Sequence, residues 1–370
     1  MPRYAQITGW GMYVPEKVLT NHDLEQMVDT SDEWITSRTG IKERHIVAPG
    51  EACSDLSIKA MDQALAVAGL APTDVELVIL GTTTPDYLMP GAVFLVQDHL
   101  GVRCPAFEIR AGCCGFMYGL VAATQFLATG ACRNAVVIGT EIISTYLNWK
   151  DRNTCVLFGD GSGAVVLEAT DTPSGILSYE MGADGSGLDW LVIPAFGTRY
   201  GVDPKAFETG DIYIHMEGKK VFRFAVESMV DVTRRVVYKA GLTMDDIDLL
   251  IPHQANARII EYAAKMLRIP MEKVYVNIDR YGNTSAASIP IALVEAVQQG
   301  RIKDGDKVVL NGFGAGLTWA TTLVQWGKVE TQMLEAGFWQ TVLGQARLTT
   351  AKARDLVSTV STLIAAARSS

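Results

Sequence analysis

The side chains able to carry covalent chemistry in this 370-residue chain converge on a few short segments. Arg110-Ala111-Gly112-Cys113-Cys114-Gly115-Phe116 places a thiol where an apolar strand gives way to a helix. Backbone N–H groups and the positive end of a helix favour a thiolate at such a turn, so the acidity of Cys113 is expected to drop below the free value of about 8.5. The alternative is that Cys113 and Cys114 are simply small buried residues. Adjacent thiols without a second Cys or His pair at ligand spacing make a poor zinc site. Ile251-Pro252-His253-Gln254-Ala255-Asn256 sets a histidine directly after another apolar strand. A neutral imidazole there can donate to a developing oxyanion, or can be a satisfied structural contact. Tyr281-Gly282-Asn283-Thr284-Ser285-Ala286-Ala287-Ser288 offers an amide that donates without titrating, or that caps a helix. The turn Phe313-Gly314-Ala315-Gly316 can aim backbone amides at a carbonyl oxygen.

The elements that must position these residues come from a duplication. Ala68-Gly69-Leu70, an acidic turn and the strand Val75–Leu80 are matched about 170 residues later by Ala240-Gly241-Leu242, an acidic turn and Ile247–Ile251. The helix headed by Cys113, followed by Ala135–Gly139, is matched by one starting at Asn283 and followed by Lys307–Gly312. Repeated helix–strand units predict α/β layers with mainly parallel sheets and a pseudo-twofold axis that brings both helix N-termini to one cleft. The expected organisation is an N-terminal half over 1–172 carrying the cysteine, a C-terminal half over 173–328 carrying His253 and Asn283, and an extension over 329–370. In that extension Leu356, Val360, Leu363 and Ile364 follow helical spacing and predict a docked amphipathic helix.

Composition sets the outer bounds. Hydrophobic residues make up 48% and charged residues 20% of the chain, which predicts a substantial core and excludes a disordered or small disulfide-held protein. Asp and Glu number 41 against 32 Lys and Arg, a net charge of −9, so nucleic acid is not an expected partner. Two charge-free runs, Ala111–Cys132 and Val308–Gly327, are long enough to span a bilayer, but their glycines and polar residues divide them into core segments, so no membrane span is expected. Six cysteines without paired spacing, and an N-terminus without an apolar signal core, point to the cytoplasm.

Taken together, Cys113, His253, Asn283 and their flanking segments resemble the β-ketoacyl-acyl-carrier-protein synthase III family of thiolase-like condensing enzymes. The resemblance runs from about Tyr4 to Trp326 and rests on Asp29-Thr30-Ser31-Asp32-Glu33-Trp34-Ile35, Arg38-Thr39-Gly40-Ile41, Phe158-Gly159-Asp160-Gly161, His253-Gln254-Ala255-Asn256, Gly282-Asn283-Thr284-Ser285-Ala286-Ala287 and Phe313-Gly314-Ala315-Gly316. It implies a five-layered αβαβα thiolase-like fold of two duplicated halves, working as a homodimer. It implies decarboxylative condensation of an acyl-CoA primer with malonyl-acyl-carrier-protein at the start of type II fatty-acid synthesis, with no metal and no cofactor beyond the coenzyme A thioester substrate. By the same resemblance Cys113 is the nucleophile, His253 and Asn283 are the decarboxylation pair, and the amides of Cys113 and Ala315 form the oxyanion hole. Thr30, Trp34, Arg38, Arg152, Gly218, Phe222 and Asn256 fall at coenzyme A positions, Met89 at an acyl-pocket position, and Arg223, Arg258 and Lys265 in a basic patch for the acyl carrier protein.

The chain departs from the family pattern at Glu108, Arg110 and Cys114 beside the nucleophile, at Met89, in a long Phe196–Lys205 stretch and in the tail after Lys328. A related condensing enzyme of a specialised, polyketide-like pathway is the alternative reading. A cysteine hydrolase, with His253 as a base positioned by Asn283, is a further one. An inert partner subunit would be expected to have lost the nucleophile.

Overall fold

The computed structural model describes residues 4–327; the tail, with its expected helix, lies outside the described residues. Strands Tyr4–Tyr13 (β1), Val78–Gly81 (β2), Ala106–Ile109 (β3), Asn134–Glu141 (β4) and Gly161–Thr170 (β5) form one sheet in the order β1-β5-β4-β2-β3. Strands Gly175–Ala183 (β6), Leu249–Pro252 (β7), Lys307–Gly314 (β8) and Thr318–Gln325 (β9) form a second, in the order β7-β8-β9-β6. Read from β6, the order β6-β9-β8-β7 reproduces β1-β5-β4-β2. Val274 even bridges Leu250 in parallel, as β3 pairs with β2.

The sheets are mixed, which corrects the expectation of mainly parallel pairing. β2 pairs in parallel with β3 and β4, and β7 with β8, but β5 and β9 run antiparallel to both their neighbours. Helix–strand alternation predicts parallel strands only where a helix carries the chain back across the sheet. β8 turns straight into β9, and no α-helix lies between β4 and β5.

The helices that matter for the site are Asp32–Thr39 (α1), Cys53–Ala68 (α2), Gly115–Ala128 (α3), Gly218–Lys239 (α4), Ala257–Leu267 (α5) and Ser288–Gln298 (α6). Because successive strand residues face opposite sides, a strand covered on both faces must be apolar throughout. Ile79, Val137 and Val165 of the first sheet, and Ile251, Leu310 and Ala320 of the second, share one core with Phe116, Met117 and Leu120 of α3 and Ile289, Ala292 and Leu293 of α6. On the outer face of the first sheet, Leu80, Val136, Ile138 and Val166 pack against Leu56, Ala60, Met61 and Ala64 of α2. On the outer face of the second, Leu250, Val309 and Leu323 pack against α4 and α5. The result is five layers, helix–sheet–helix–sheet–helix.

Both Ala-Gly-Leu signals close helices as their sequence suggests. Gly69 (φ +66°) and Gly241 (φ +75°) take the left-handed conformation, and the amides of Leu70 and Leu242 return to the carbonyls of Leu65 and Val237.

Candidate active site

The chain segments ahead of the two middle helices meet, Ser285 Oγ standing 3.3 Å from Cys113 Sγ. β3 ends at Ile109, and Ala111-Gly112-Cys113 turns the chain into α3, for which Cys114 is the N-cap. Gly112 holds φ +55°, and a Cβ there would stand 2.9 Å from the Ala315 nitrogen; one on Gly314 would stand 2.6 Å from the Cys113 nitrogen. Only glycine lets these two turns, one from each half, meet backbone to backbone. The backbone N–H groups of Cys113 and Ala315 act together on the Cys113 sulfur, favouring its charged form.

The acidity expected of Cys113 is corrected by its burial. Cys113 is 8% exposed, and desolvation pushes its thiol up to about 11 despite the Ser285 hydroxyl and the two backbone amides that oppose the rise. It stands directly ahead of the α3 N-cap. Cys113 nonetheless touches open space on two sides. A cavity of about 790 Å³ runs from it past Arg110, Ile143, Tyr146, Ile193, Phe196 and Phe207. A smaller one of about 150 Å³ joins it to His253, Asn283, Phe313, Asn256, Phe222 and Gly218. Cys114 is fully buried and lines neither cavity; its thiol is driven up further by desolvation and contacts Thr318.

His253 follows β7 directly, its amide bonded to the Asn311 carbonyl at 2.7 Å. Its Nδ1 lies 2.5 Å from Ser288 Oγ, which also accepts from the Gln254 amide at 3.3 Å. With that hydroxyl donating to Nδ1, the ring proton resides on Nε2. Nε2 is buried without a partner among the described residues, and burial pushes the imidazole down to about 3, so the ring is neutral at physiological pH. Such a group is a hydrogen-bond donor awaiting an acceptor. Phe313 stacks edge-on at 5.0 Å between centroids.

Asn283 caps no helix: the short helical turn Ser285–Ala287 is headed by Thr284 and the helix expected from Asn283 begins at Ser288. Its Oδ1 accepts from the Ser285 amide two residues on at 2.9 Å, a local turn contact, while Nδ2 makes no hydrogen bond within the described residues. Asp160 of Phe158-Gly159-Asp160-Gly161 is structural: its carboxylate takes the Ser144 hydroxyl at 2.6 Å and the Val47 amide at 3.0 Å.

Trp34 on α1 lies between two guanidinium groups, Arg38 at 4.8 Å and Arg152 at 5.3 Å from its ring centroid. Asn256 caps α5 through Oδ1 and donates from Nδ2 to the Arg38 carbonyl, linking this cluster to the smaller cavity. The Thr30 hydroxyl is buried and unpartnered in the loop ahead of α1. Arg258 and Lys265 are both exposed on α5, whereas Arg223 on α4 pairs with Glu227 at 2.8 Å in a groove that also contains Asp231. Met89 is 86% exposed and does not line the larger cavity of its own chain, although Leu88 does.

The departures from the family pattern resolve into different roles. Glu108 accepts from the Val93 amide at 2.9 Å and sits so close to Gly91 that a Cβ there would meet its carboxyl at 2.8 Å. Arg110 and the long stretch, through Phe196, Gly197 and Val202, line the larger cavity. Sequence reasoning missed Ser288, Ser285 and Glu141. The first two stand within the quoted asparagine motif, and Glu141 was signalled by a carboxyl closing an otherwise uncharged strand.

Two family models match, 3-oxoacyl-[acyl-carrier-protein] synthase III over residues 107–185 and its C-terminal region over 237–326. The β-ketoacyl-[acyl-carrier-protein] synthase III of Roseiflexus castenholzii is 53% identical over 88% of this chain and 99% of its own length. That of Symbiobacterium thermophilum is 54% identical over the same shares. The crystal structure of 3-oxoacyl-[acyl-carrier-protein] synthase III from Aquifex aeolicus superposes with a TM-score of 0.80 at 46% identity, covering 87% of this chain and 99% of that one. With half of its residues shared along nearly the full length of such relatives, and with the same five layers, the chain belongs to the β-ketoacyl-acyl-carrier-protein synthase III family.

Proposed function

We propose that this acyltransferase condenses an acyl-CoA primer with malonyl-acyl-carrier-protein in two half-reactions on Cys113, the step that primes type II fatty-acid synthesis. The observation that carries this reading is the placing of Cys113 at the junction of two cavities. Two backbone amides act on its sulfur, and two unspent donors, His253 Nε2 and Asn283 Nδ2, belong to the smaller cavity. In the first half-reaction the Cys113 sulfur attacks the primer thioester, the amides of Cys113 and Ala315 hold the tetrahedral oxyanion, and coenzyme A leaves as its thiol. In the second, His253 and Asn283 donate to the malonyl thioester oxygen. The bond to the malonyl carboxylate breaks, CO2 departs, and its electron pair becomes enolate charge on that oxygen. The enolate carbon attacks the Cys113 thioester, releasing β-ketoacyl-acyl-carrier-protein and a thiolate that takes one proton from solvent. Decarboxylation supplies the carbanion, so these steps call for no metal or redox group.

Trp34 is assigned to stack on the adenine, Arg38 and Arg152 to meet phosphates, Thr30 to border that end of the site, and Gly218, Phe222 and Asn256 to line the pantetheine path. Arg258 and Lys265, with Arg223 at their edge, are assigned to the acidic carrier protein. A homodimer is supported by the exposed apolar group Tyr87, Leu88, Met89, Phe94 and Leu95, and Met89 within it is assigned to the contact with a second copy. The halves 1–172 and 173–328 then divide the work, nucleophile against donors. Six unpaired cysteines favour the cytoplasm, and no helix among the described residues is long and apolar enough to cross a membrane.

The hydrolase reading loses support because Asn283 does not hold the imidazole and a ring pushed down to about 3 is a weak base. Intact-mass measurement after exposure to a panel of acyl-CoAs, followed by malonyl-acyl-carrier-protein, tests the proposal. A retained acyl adduct consumed on adding the malonyl substrate supports it; an adduct lost to water alone overturns it.

A further inference from the structure

Glu141 ends β4, fully buried beneath the nucleophile. A buried carboxyl is costly unless it is protonated or richly hydrogen-bonded. No cation pairs with it among the described residues. It takes the Thr83 amide at 3.1 Å, the Thr83 hydroxyl at 2.9 Å, the Thr84 hydroxyl at 2.7 Å and, at Oε1, the Ser285 hydroxyl at 3.2 Å. That same Ser285 oxygen stands 3.3 Å from Cys113 Sγ. One hydroxyl hydrogen serves only one acceptor at a time, so Ser285 Oγ donates either to Cys113 Sγ or to Glu141 Oε1, and while it donates to Glu141 its lone pairs are open to the Cys113 S–H. Ser285 holds φ +50°, a conformation that costs a residue with a side chain, and the Asn283 side chain bonded to its amide keeps it there.

The first half-reaction leaves a proton without a destination. A thiol held up near 11 must lose its hydrogen as it attacks, and His253 is a poor acceptor with its Nδ1 engaged by Ser288. We propose that Ser285 and Glu141 form a proton relay for acylation: as Cys113 Sγ bonds to the acyl carbon, the S–H proton passes to Ser285 Oγ and the Ser285 hydroxyl proton passes to Glu141 Oε1. When the tetrahedral species collapses, the C–S bond to coenzyme A breaks, its electron pair stays on that sulfur, and the proton held at Glu141 returns through Ser285 to make the free thiol. Atoms and charge balance with no outside acid or base. Ser285 touches the reacting sulfur and is a catalytic residue; Glu141 acts through it and is a positioning residue that also stores the proton. Burial raises Glu141 to about 7, where it both accepts and returns a proton near neutrality. The titratable groups facing it are Cys113 at the β3–α3 turn, Cys53 on α2 and Tyr146 beyond β4, with Asp86 acting on Cys53; all three neutral groups are raised further from neutrality.

The inference rests on Cys113 being the acylated residue. Single-turnover acylation by acetyl-CoA, malonyl-acyl-carrier-protein decarboxylation and iodoacetamide alkylation of Cys113 from pH 5 to 9 are measured on the full chain and on Ser285→Ala, Glu141→Gln, Glu141→Asp and the double Ala/Gln variant. A relay predicts that Ser285→Ala and Glu141→Gln each slow acylation on the order of 10²-fold near pH 7. It predicts that the double variant is no slower than the slower single one, that Asp recovers part of the loss, and that decarboxylation stays within threefold. Losses that add, an equal fall in decarboxylation, or faster alkylation of Glu141→Gln overturn it; the last would mean that the carboxylate merely repels the thiolate. If the unaltered chain never takes an acyl group, the role of Cys113 falls. Alkylation then still decides the relay, since equal rates in all variants would overturn it.

Discussion

The turns ahead of α3 and α6 hold matching places in the two halves and meet where Ser285 Oγ stands 3.3 Å from Cys113 Sγ, yet they carry different chemistry. Ahead of α3 stands the Cys113 thiol, linked through the Ser285 hydroxyl to a buried carboxyl; ahead of α6 stands an amide, with a histidine delivered by the neighbouring strand β7. In the proposed mechanism the first half supplies groups that lose and regain protons. The second supplies donors whose protonation is fixed, by an amide that cannot titrate and an imidazole pushed far below neutrality. Duplication thus gives two equivalent positions at one cleft, and the division of labour lies in what each position is allowed to ionise.

Removing the nucleophile breaks this contrast most completely. Cys113→Ala should abolish acyl-enzyme formation, and Cys114→Ser should leave it, because Cys114 reaches neither cavity. Peptide mass spectrometry locates the adduct; an acyl group on Cys114 would reverse the assignment. On the other side of the cleft, His253→Ala or Asn283→Ala should lower malonyl decarboxylation by about 10²-fold or more while sparing acylation. Equal loss in both half-reactions would mean that the halves share one function.

Stability against pH reports on the buried Glu141 carboxyl. Glu141 titrates near 4.5 in an unfolded chain and near 7 when folded, so its stabilising contribution is complete below 4.5 and is lost as pH rises through 7. Glu141→Gln should therefore gain on the unaltered chain in thermal melting between pH 5 and 7.5, by up to roughly 3 kcal/mol. A constant difference across that window would show that the carboxyl does not titrate there. Smaller effects are expected away from the cleft. Trp34→Ala should raise the KM for acyl-CoA by about tenfold with kcat retained, the loss of one stacking contact. Arg258→Glu with Lys265→Glu should raise the KM for malonyl-acyl-carrier-protein a few-fold, in a manner that fades with salt. A matching rise for acyl-CoA would remove the carrier-protein assignment.

Much of this arrangement was legible in the chain itself, because apolar strands, glycine helix ends and a repeat at fixed offset are local signals with direct physical meaning. Ala68-Gly69-Leu70 and Ala240-Gly241-Leu242 fixed two helix ends and, with them, the duplication. Strand direction was not legible, since nothing in the residues of β5 or β9 says whether a helix preceded them. The acidity of Cys113 was misjudged for a related reason: a turn can be read from Gly112, but the desolvation of a side chain depends on what the other half lays over it. Ser285 shares that history. Its hydroxyl is ordinary in sequence and acquires meaning only through the sulfur and carboxyl it meets across the cleft.

The glycine-on-backbone contact between Gly112 and Ala315, and between Gly314 and Cys113, has a mechanical consequence. In the proposed mechanism the nucleophile Cys113 rides on one half and one of its two oxyanion donors, the Ala315 amide, rides on the other, with glycine set directly against backbone between them. A shear of a few tenths of an ångström between the halves is then a change in donor geometry at the reacting carbon. On that mechanism the protein works as a vernier, in which the seam between its two halves sets the alignment of the chemistry. Heating or a cavity-forming substitution in the shared middle layer should erode turnover before it erodes the fold.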